Sequence, residues 1–133
     1  MMTRRKLREE IFKALFAVDF FPTDDFDGQI ERYISGISEE VYPEDLEYIE
    51  RKCGDIAAKI SEIDSAVDDV AEKWSTTRMG KVELTVIRLA CYEMKYDEEI
   101  PQSVAINEGV ELAKKYGPDG AGAFVNGVLA KLV

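Results

Sequence analysis

The sequence predicts an all-α protein: a helical bundle of six to seven helices, arranged as two three-helix bundles sharing a core. Three observations carry that prediction. Apolar residues recur at helical spacing in nearly every segment between Pro and Gly breaks, and two-residue alternation persists nowhere. Val82, Val86, Leu89, Ala90 and Met94, widened by Leu84, Ile87 and Cys91, give a central helix an apolar stripe broad enough to be buried on more than one side. The 133 residues, 46% hydrophobic, are enough to bury about two-thirds of the unfolded surface. The expected division is an N-terminal bundle over residues 1–75 and a C-terminal bundle over 76–133, within one domain.

Thr3 is placed to cap a first helix ending near Asp19, with Leu7, Ile11, Ala14, Leu15 and Val18 as its core stripe. Arg4, Arg5 and Arg8 gather on the other side, beside an aromatic row of Phe12, Phe16 and Phe20. Phe21-Pro22-Thr23-Asp24-Asp25 breaks the chain, and a short amphipathic helix over residues 26–37 uses Phe26, Ile30, Tyr33, Ile34 and Ile37. Pro43 suits the first turn of the next helix, and Glu44 and Asp45 favour its positive end. Leu46, Ile49, Cys53, Ile56, Ala57 and Ile60 carry that helix to about Ser61. Asp64 is the expected cap of another, built on Val67, Val70, Ala71 and Trp74. Ser75-Thr76-Thr77 is expected to cap the central helix. After Ile100-Pro101, a helix from Pro101 or Ser103 runs to Gly117-Pro118, with Gly117 expected in the left-handed position and Lys114 and Lys115 favouring the negative end. Phe124, Val125, Val128, Leu129 and Leu132 form the last helix.

The net charge of −10 is unevenly spread. Residues 1–13 hold five cations (Arg4, Arg5, Lys6, Arg8, Lys13) against Glu9 and Glu10, a local +3, so the other 120 residues carry −13. Binding responds to the field within a Debye length of ~8–10 Å, so the distribution matters more than the total. A cationic helical end beside aromatics suits an unpaired RNA strand, with guanidinium groups on phosphates and rings stacking on bases.

Other chemistry is poorly provided for. The chain has no histidine, which excludes His-based triads and metal sites. Cys53 and Cys91 stand alone inside helical patterns, as buried thiols would. The Gly117-Pro118-Asp119-Gly120-Ala121-Gly122 stretch lacks both the preceding strand and the Lys-Ser/Thr ending of a phosphate loop. No enzyme and no cofactor is expected. No run approaches the ~18 apolar residues of a membrane span, and the basic start is not followed by an apolar signal region, so a cytoplasmic location is expected.

A set of motifs then resembles a known family. In order these are Arg4-Arg5-Lys6 with Arg8 and Ala14-Leu15-Phe16; Trp74 four residues before Arg78; Val82-Glu83 with Ile87-Arg88-Leu89-Ala90-Cys91-Tyr92-Glu93; Ile100-Pro101; Val104-Ala105-Ile106-Asn107-Glu108; Glu111-Leu112-Ala113-Lys114-Lys115-Tyr116-Gly117; and Phe124-Val125-Asn126-Gly127-Val128-Leu129. Together they resemble the NusB family of bacterial transcription antitermination and termination factors over the whole chain.

The resemblance implies two three-helix bundles without enzymatic activity. It implies binding of boxA-containing single-stranded RNA from ribosomal RNA leaders, together with the small-subunit ribosomal protein NusE. Other Nus factors and RNA polymerase are implied indirectly, as is a homodimer that some members form through the RNA-binding face. Arg4, Arg5, Lys6 and Arg8 match the family's RNA-contacting motif, Phe16 matches an aromatic of the same helix, and Glu83 and Arg88 match charges near the protein partner. Asn107 and Asn126 are expected to tie helix ends. Ala123 replaces a frequent Lys and Gly120-Ala121-Gly122 a more polar loop, which removes charge from one edge of the expected RNA surface. Two alternatives are a stand-alone RNA-docking module related to the N-terminal domain of ribosomal RNA cytosine methyltransferases, and a protein-only helical adaptor. The first is disfavoured because no Gly-rich cofactor domain follows Val133; the acidic surface favours the second.

Overall fold

The computed structural model describes residues 1–17, 26–37, 41–71 and 73–133. Among the described residues there are seven α-helices, one 3₁₀ turn and no strand, the all-α class that the periodicity predicts. They form two compact units, Met1–Ala58 and Lys59–Val133.

In the first unit, α1 (Arg4–Ala17) begins where Thr3 caps it. The Thr3 Oγ1 accepts the Lys6 N–H at 3.1 Å, satisfying one of the helix's orphan donors, and the Thr3 carbonyl accepts the Leu7 N–H at 2.9 Å as the first bond of the helical ladder. α2 (Phe26–Ser35) and α3 (Pro43–Ala58) pack on α1 and on each other. Their shared core is Ile11, Ala14 and Leu15 from α1, Ile30 and Ile34 from α2, and Ile49, Cys53 and Ile56 from α3. Val18, Asp19, Phe20, residues 21–25 and the Phe26 side chain lie outside the described residues.

The next helix departs from expectation. α3 stops at Ala58, and α4 (Ile60–Val70) starts four residues before Asp64, with the Lys59 carbonyl accepting the Ile63 N–H at 2.9 Å and no side-chain cap. The reason is the stripe: Ile60, Ile63, Val67 and Val70 share one face, and Ile63 and Val67 are fully buried. Asp64 is therefore inside the helix, free for another task. α4 ends early as well, because Ala71 turns away with φ −87° and ψ 83°. Trp74 thus falls beyond the helix and is 51% exposed rather than on its core stripe. Because α4 packs on α5, it belongs to the second unit, and the expected boundary between residues 75 and 76 falls inside that unit.

Ser75-Thr76-Thr77 does not cap the central helix. Thr76–Arg78 forms a 3₁₀ turn held by Asp68, whose carboxylate accepts the Thr76 N–H at 2.7 Å and its hydroxyl at 3.2 Å. α5 (Lys81–Tyr96) starts after Gly80. Val86, Ile87, Leu89, Ala90 and Cys91 are all buried, since α4, α6 (Gln102–Tyr116) and α7 (Ala121–Ala130) all pack against α5. Truncating such a residue typically costs about 2–5 kcal/mol. Burial pushes the Cys53 thiol up to about 12 and the Cys91 thiol up to about 11, so both are inert core side chains.

Gly117 is not left-handed: its φ is −96°. It is glycine because a Cβ would stand 2.7 Å from both the Ala113 carbonyl oxygen and the Ala121 Cβ, at the close corner between α6 and α7. The left-handed residue is Gly120, φ 87°, which opens α7. No helix among the described residues is long and apolar enough to cross a membrane.

Candidate nucleic-acid interface

The amino end of α1 is held in place from both sides. The Met2 N–H donates to Asp45 Oδ2 at 2.8 Å, and Asp45, in the first turn of α3, is 5% exposed. Together with the Thr3 cap, this fixes where the following cations emerge. Arg4, Arg5 and Lys6 occupy the first turn of α1, which contains no acidic residue. Cations there oppose the helix dipole by about 0.3–1 kcal/mol each, so helix stability alone does not select them. Their charge instead adds to the amide dipoles, so the end of α1 favours an anion.

The cations are not equivalent. Arg4, Arg5 and Lys6 are exposed, whereas Arg8 is 7% exposed. It lies on the row that continues through Ile11, Phe12 and Leu15, not with Arg4 and Arg5 on an outer face as the spacing suggested. Lys6 Nζ stands 3.3 Å from Glu9 and 3.2 Å from Glu10, and Lys13 Nζ stands 3.6 Å from each. Hydrogen bonding to Glu10, then Glu9, raises the Lys6 pKa above the ordinary lysine value. Phe12 is core at 2% exposure, while Phe16 is half-buried one turn on, its ring centroid 5.9 Å from that of Phe12. Of the expected aromatic row, Phe16 is thus the described member partly open to solvent.

Glu83 and Arg88 both lie on α5, five residues apart and so on different faces. Glu83 sits in the first turn, where a carboxylate favours the positive helix end, and its side chain folds back so closely that a Cβ on Gly80 would meet it at 2.5 Å. Arg88 clamps Asp64 of α4 in a fork: Nε donates to Oδ1 at 2.9 Å and Nη2 to Oδ2 at 2.7 Å. The two side chains are 14% and 25% exposed. Asn107 and Asn126 are exposed and lie inside α6 and α7, away from the helix ends that they were expected to tie. Ala123 is exposed and contributes no charge.

The sequence reading missed Asp45 as an anchor. A first-turn acid after Pro43 has a sufficient explanation in the helix dipole, and the signal that it also grips Met2 exists only in three dimensions. No group of described residues has the His, Cys, Asp and Glu clustering that would hold a metal ion.

Comparison with known proteins matches residues 5–133 to the model of the NusB family. The chain is 48% identical over 130 residues to the transcription antitermination protein NusB of Agathobacter rectalis, covering 98% of each. Among solved structures it is similar to T. maritima NusB, with a TM-score of 0.87 and 35% identity over 98% of this chain and 90% of that one. It is also similar to a chain in the structure of antitermination factors NusB and NusE in complex with dsRNA, with a TM-score of 0.80, 26% identity, and coverage of 98% and 97%.

Proposed function

Because this chain belongs to the NusB family, we propose that it is an RNA-binding transcription antitermination factor that takes boxA RNA of ribosomal RNA leaders together with the ribosomal protein NusE. It works in the cytoplasm, on elongating RNA polymerase and with the other Nus factors, and by binding rather than catalysis. The observation that supports this most directly is the cationic first turn of α1, held by Thr3 and Asp45 at the helix's positive end. Arg4 and Arg5 hold phosphates there, Lys6 and Arg8 support them from their places in the helix, and Phe16 offers a ring to a base. Glu83 and Arg88 serve the NusE side, Arg88 as half of its pair with Asp64.

The test is a titration of boxA RNA, with and without NusE, against the natural chain and Arg4→Glu/Arg5→Glu. Single-stranded and duplex forms of the RNA are compared, since the related complex holds dsRNA. Reversing two exposed charges is expected to lower RNA affinity at least about tenfold, from the loss of two charge-assisted contacts, with NusE binding intact. Equal affinity of the natural and reversed chains removes the arm from the mechanism. Tight NusE binding to which RNA adds nothing makes the protein an adaptor instead.

A further inference from the structure

Trp74, the chain's one tryptophan, stands half exposed on a groove of about 230 Å³ in the second unit. Val70, Ala71, Phe124, Gly127 and Val128 line it together with Lys73 and Lys131. The chain has 27 carboxylates against 17 cations, yet among the described residues the two charged ones lining this groove are both lysines. Residues 121–133 contain no Asp or Glu, and Asp68 near the end of α4 is taken up by the Thr76 N–H and hydroxyl. A half-exposed indole that shares its groove with two lysines combines a stacking face with phosphate ligands. The volume is smaller than the ~300–1,000 Å³ of ordinary small-molecule sites, which suits one ring system rather than a helix or a peptide.

We propose that this groove holds one unpaired nucleotide of the bound RNA, its base against the Trp74 ring and its phosphate between Lys73 and Lys131. The proposal rests on the RNA-binding reading above, and adds a contact that the arm of α1 does not supply. Phe124 adds apolar lining, and Gly127, without a side chain, leaves the ribose room beside the helix.

The lone tryptophan makes the test direct. Fluorescein-labelled boxA RNA is titrated into the full chain while anisotropy reports binding and indole emission reports the groove. Emission is expected to fall in step with the rise in anisotropy. Trp74→Ala is expected to weaken binding about five- to 150-fold, the range that base–aromatic stacking supports, while Trp74→Phe keeps most of the affinity. Lys73→Ala/Lys131→Ala, at two exposed positions that leave the core intact, is expected to make the salt slope shallower by about 0.7, one phosphate. RNA that binds without changing Trp74 emission, and equally well in the Trp74 and lysine variants, overturns the nucleotide site while leaving the arm standing. Emission that responds to NusE alone and not to RNA assigns the groove to protein and overturns it too. A natural chain that binds no RNA overturns the broader function first, and this site with it.

Discussion

Separating Arg88 from Asp64 tests what the central helix carries at its midpoint. The pair joins α5 to α4 through two charge-assisted hydrogen bonds, 2.9 and 2.7 Å long, between side chains 14% and 25% exposed. Hydrogen bonds to charged groups contribute roughly 1.5–3 kcal/mol each when well shielded. Partial solvent access reduces that, and about 2 kcal/mol for the whole fork is the expected coupling. In a chain of this length, 1 kcal/mol moves the melting point by about 3–5 °C, so Asp64→Ala and Arg88→Met should each lower it by about 6–10 °C. The double variant should be scarcely worse than either single one, because removing both partners leaves no buried charge without its counter-ion.

The assay is a double-mutant cycle from urea and thermal unfolding of the four proteins. A coupling below about 0.5 kcal/mol refutes the reasoning, since it would mean that the fork gains nothing over solvation of its two ends. The same four proteins sort the role of Arg88 toward NusE. If the pair acts as a unit, Asp64→Ala weakens NusE binding as much as Arg88→Met, because an Arg without its carboxylate no longer holds one geometry. If Asp64→Ala binds normally and Arg88→Met does not, Arg88 meets the partner by its own charge.

Other perturbations follow from single contacts. Asp45→Ala releases the Met2 N–H and should lower boxA RNA affinity a few-fold, whereas Asp45→Asn, whose amide oxygen still accepts, should restore it; amide exchange at the start of α1 reads the same release, and equal RNA affinity in all three proteins would sink the anchor. Gly117→Ala places a methyl 2.7 Å from the Ala113 carbonyl and the Ala121 Cβ, an overpacking that should cost about 1–3 kcal/mol in a urea melt, while an unchanged midpoint would mean that the corner relaxes freely. The folded thiols stay protonated up to about 12 for Cys53 and about 11 for Cys91, whereas in the unfolded chain they ionise near 9. Above pH 9 the unfolded state therefore binds fewer protons, and stability falls as pH rises, by up to about 1.4 kcal/mol per pH unit for each thiol. Below pH 9 neither thiol gives a slope, and Cys53→Ala should flatten the alkaline decline; a decline equally steep in the variant would place its cause elsewhere.

The periodic signal carried the helices and their buried faces well, because a stripe such as Val86, Ile87, Leu89 and Ala90 is a property of spacing alone. Helix ends were another matter. Asp64 and Thr76 are residue types that cap helices, and the sequence offers no way to see that each is spent on a tertiary bond: Asp64 on Arg88, and Thr76 on Asp68. Gly117 reads as a left-handed stop because that is glycine's commonest task at a helix end, but here close packing, not φ, demands it. Arg8 shows the same limit on the candidate interface. Its charge grouped it with Arg4 and Arg5, while its position one turn before Ile11 and Phe12 placed it over the core.

That difference changes the electrostatics expected of the interface. Four cations each meeting a phosphate would give log K against log salt a slope near −3 for a single strand. The structure divides those charges by their surroundings. The Lys6 ammonium lies between Glu9 and Glu10, which are themselves only 12% and 10% exposed at the side chain, so moving it onto a phosphate would strip two poorly hydrated carboxylates of a counter-ion. Lys13 is engaged with the same two acids, and Arg8 is buried. Arg4 and Arg5 are then the arm's exposed arginines, and the arm by itself should contribute a slope of about −1.4. A weak local field on a chain of net charge −10 gives little affinity alone, which makes RNA binding depend on whatever cations the partner brings. NusE should therefore steepen the slope as well as tighten the complex. A slope near −3 for the isolated chain would show instead that Lys6 and Arg8 leave their places in the fold when RNA arrives.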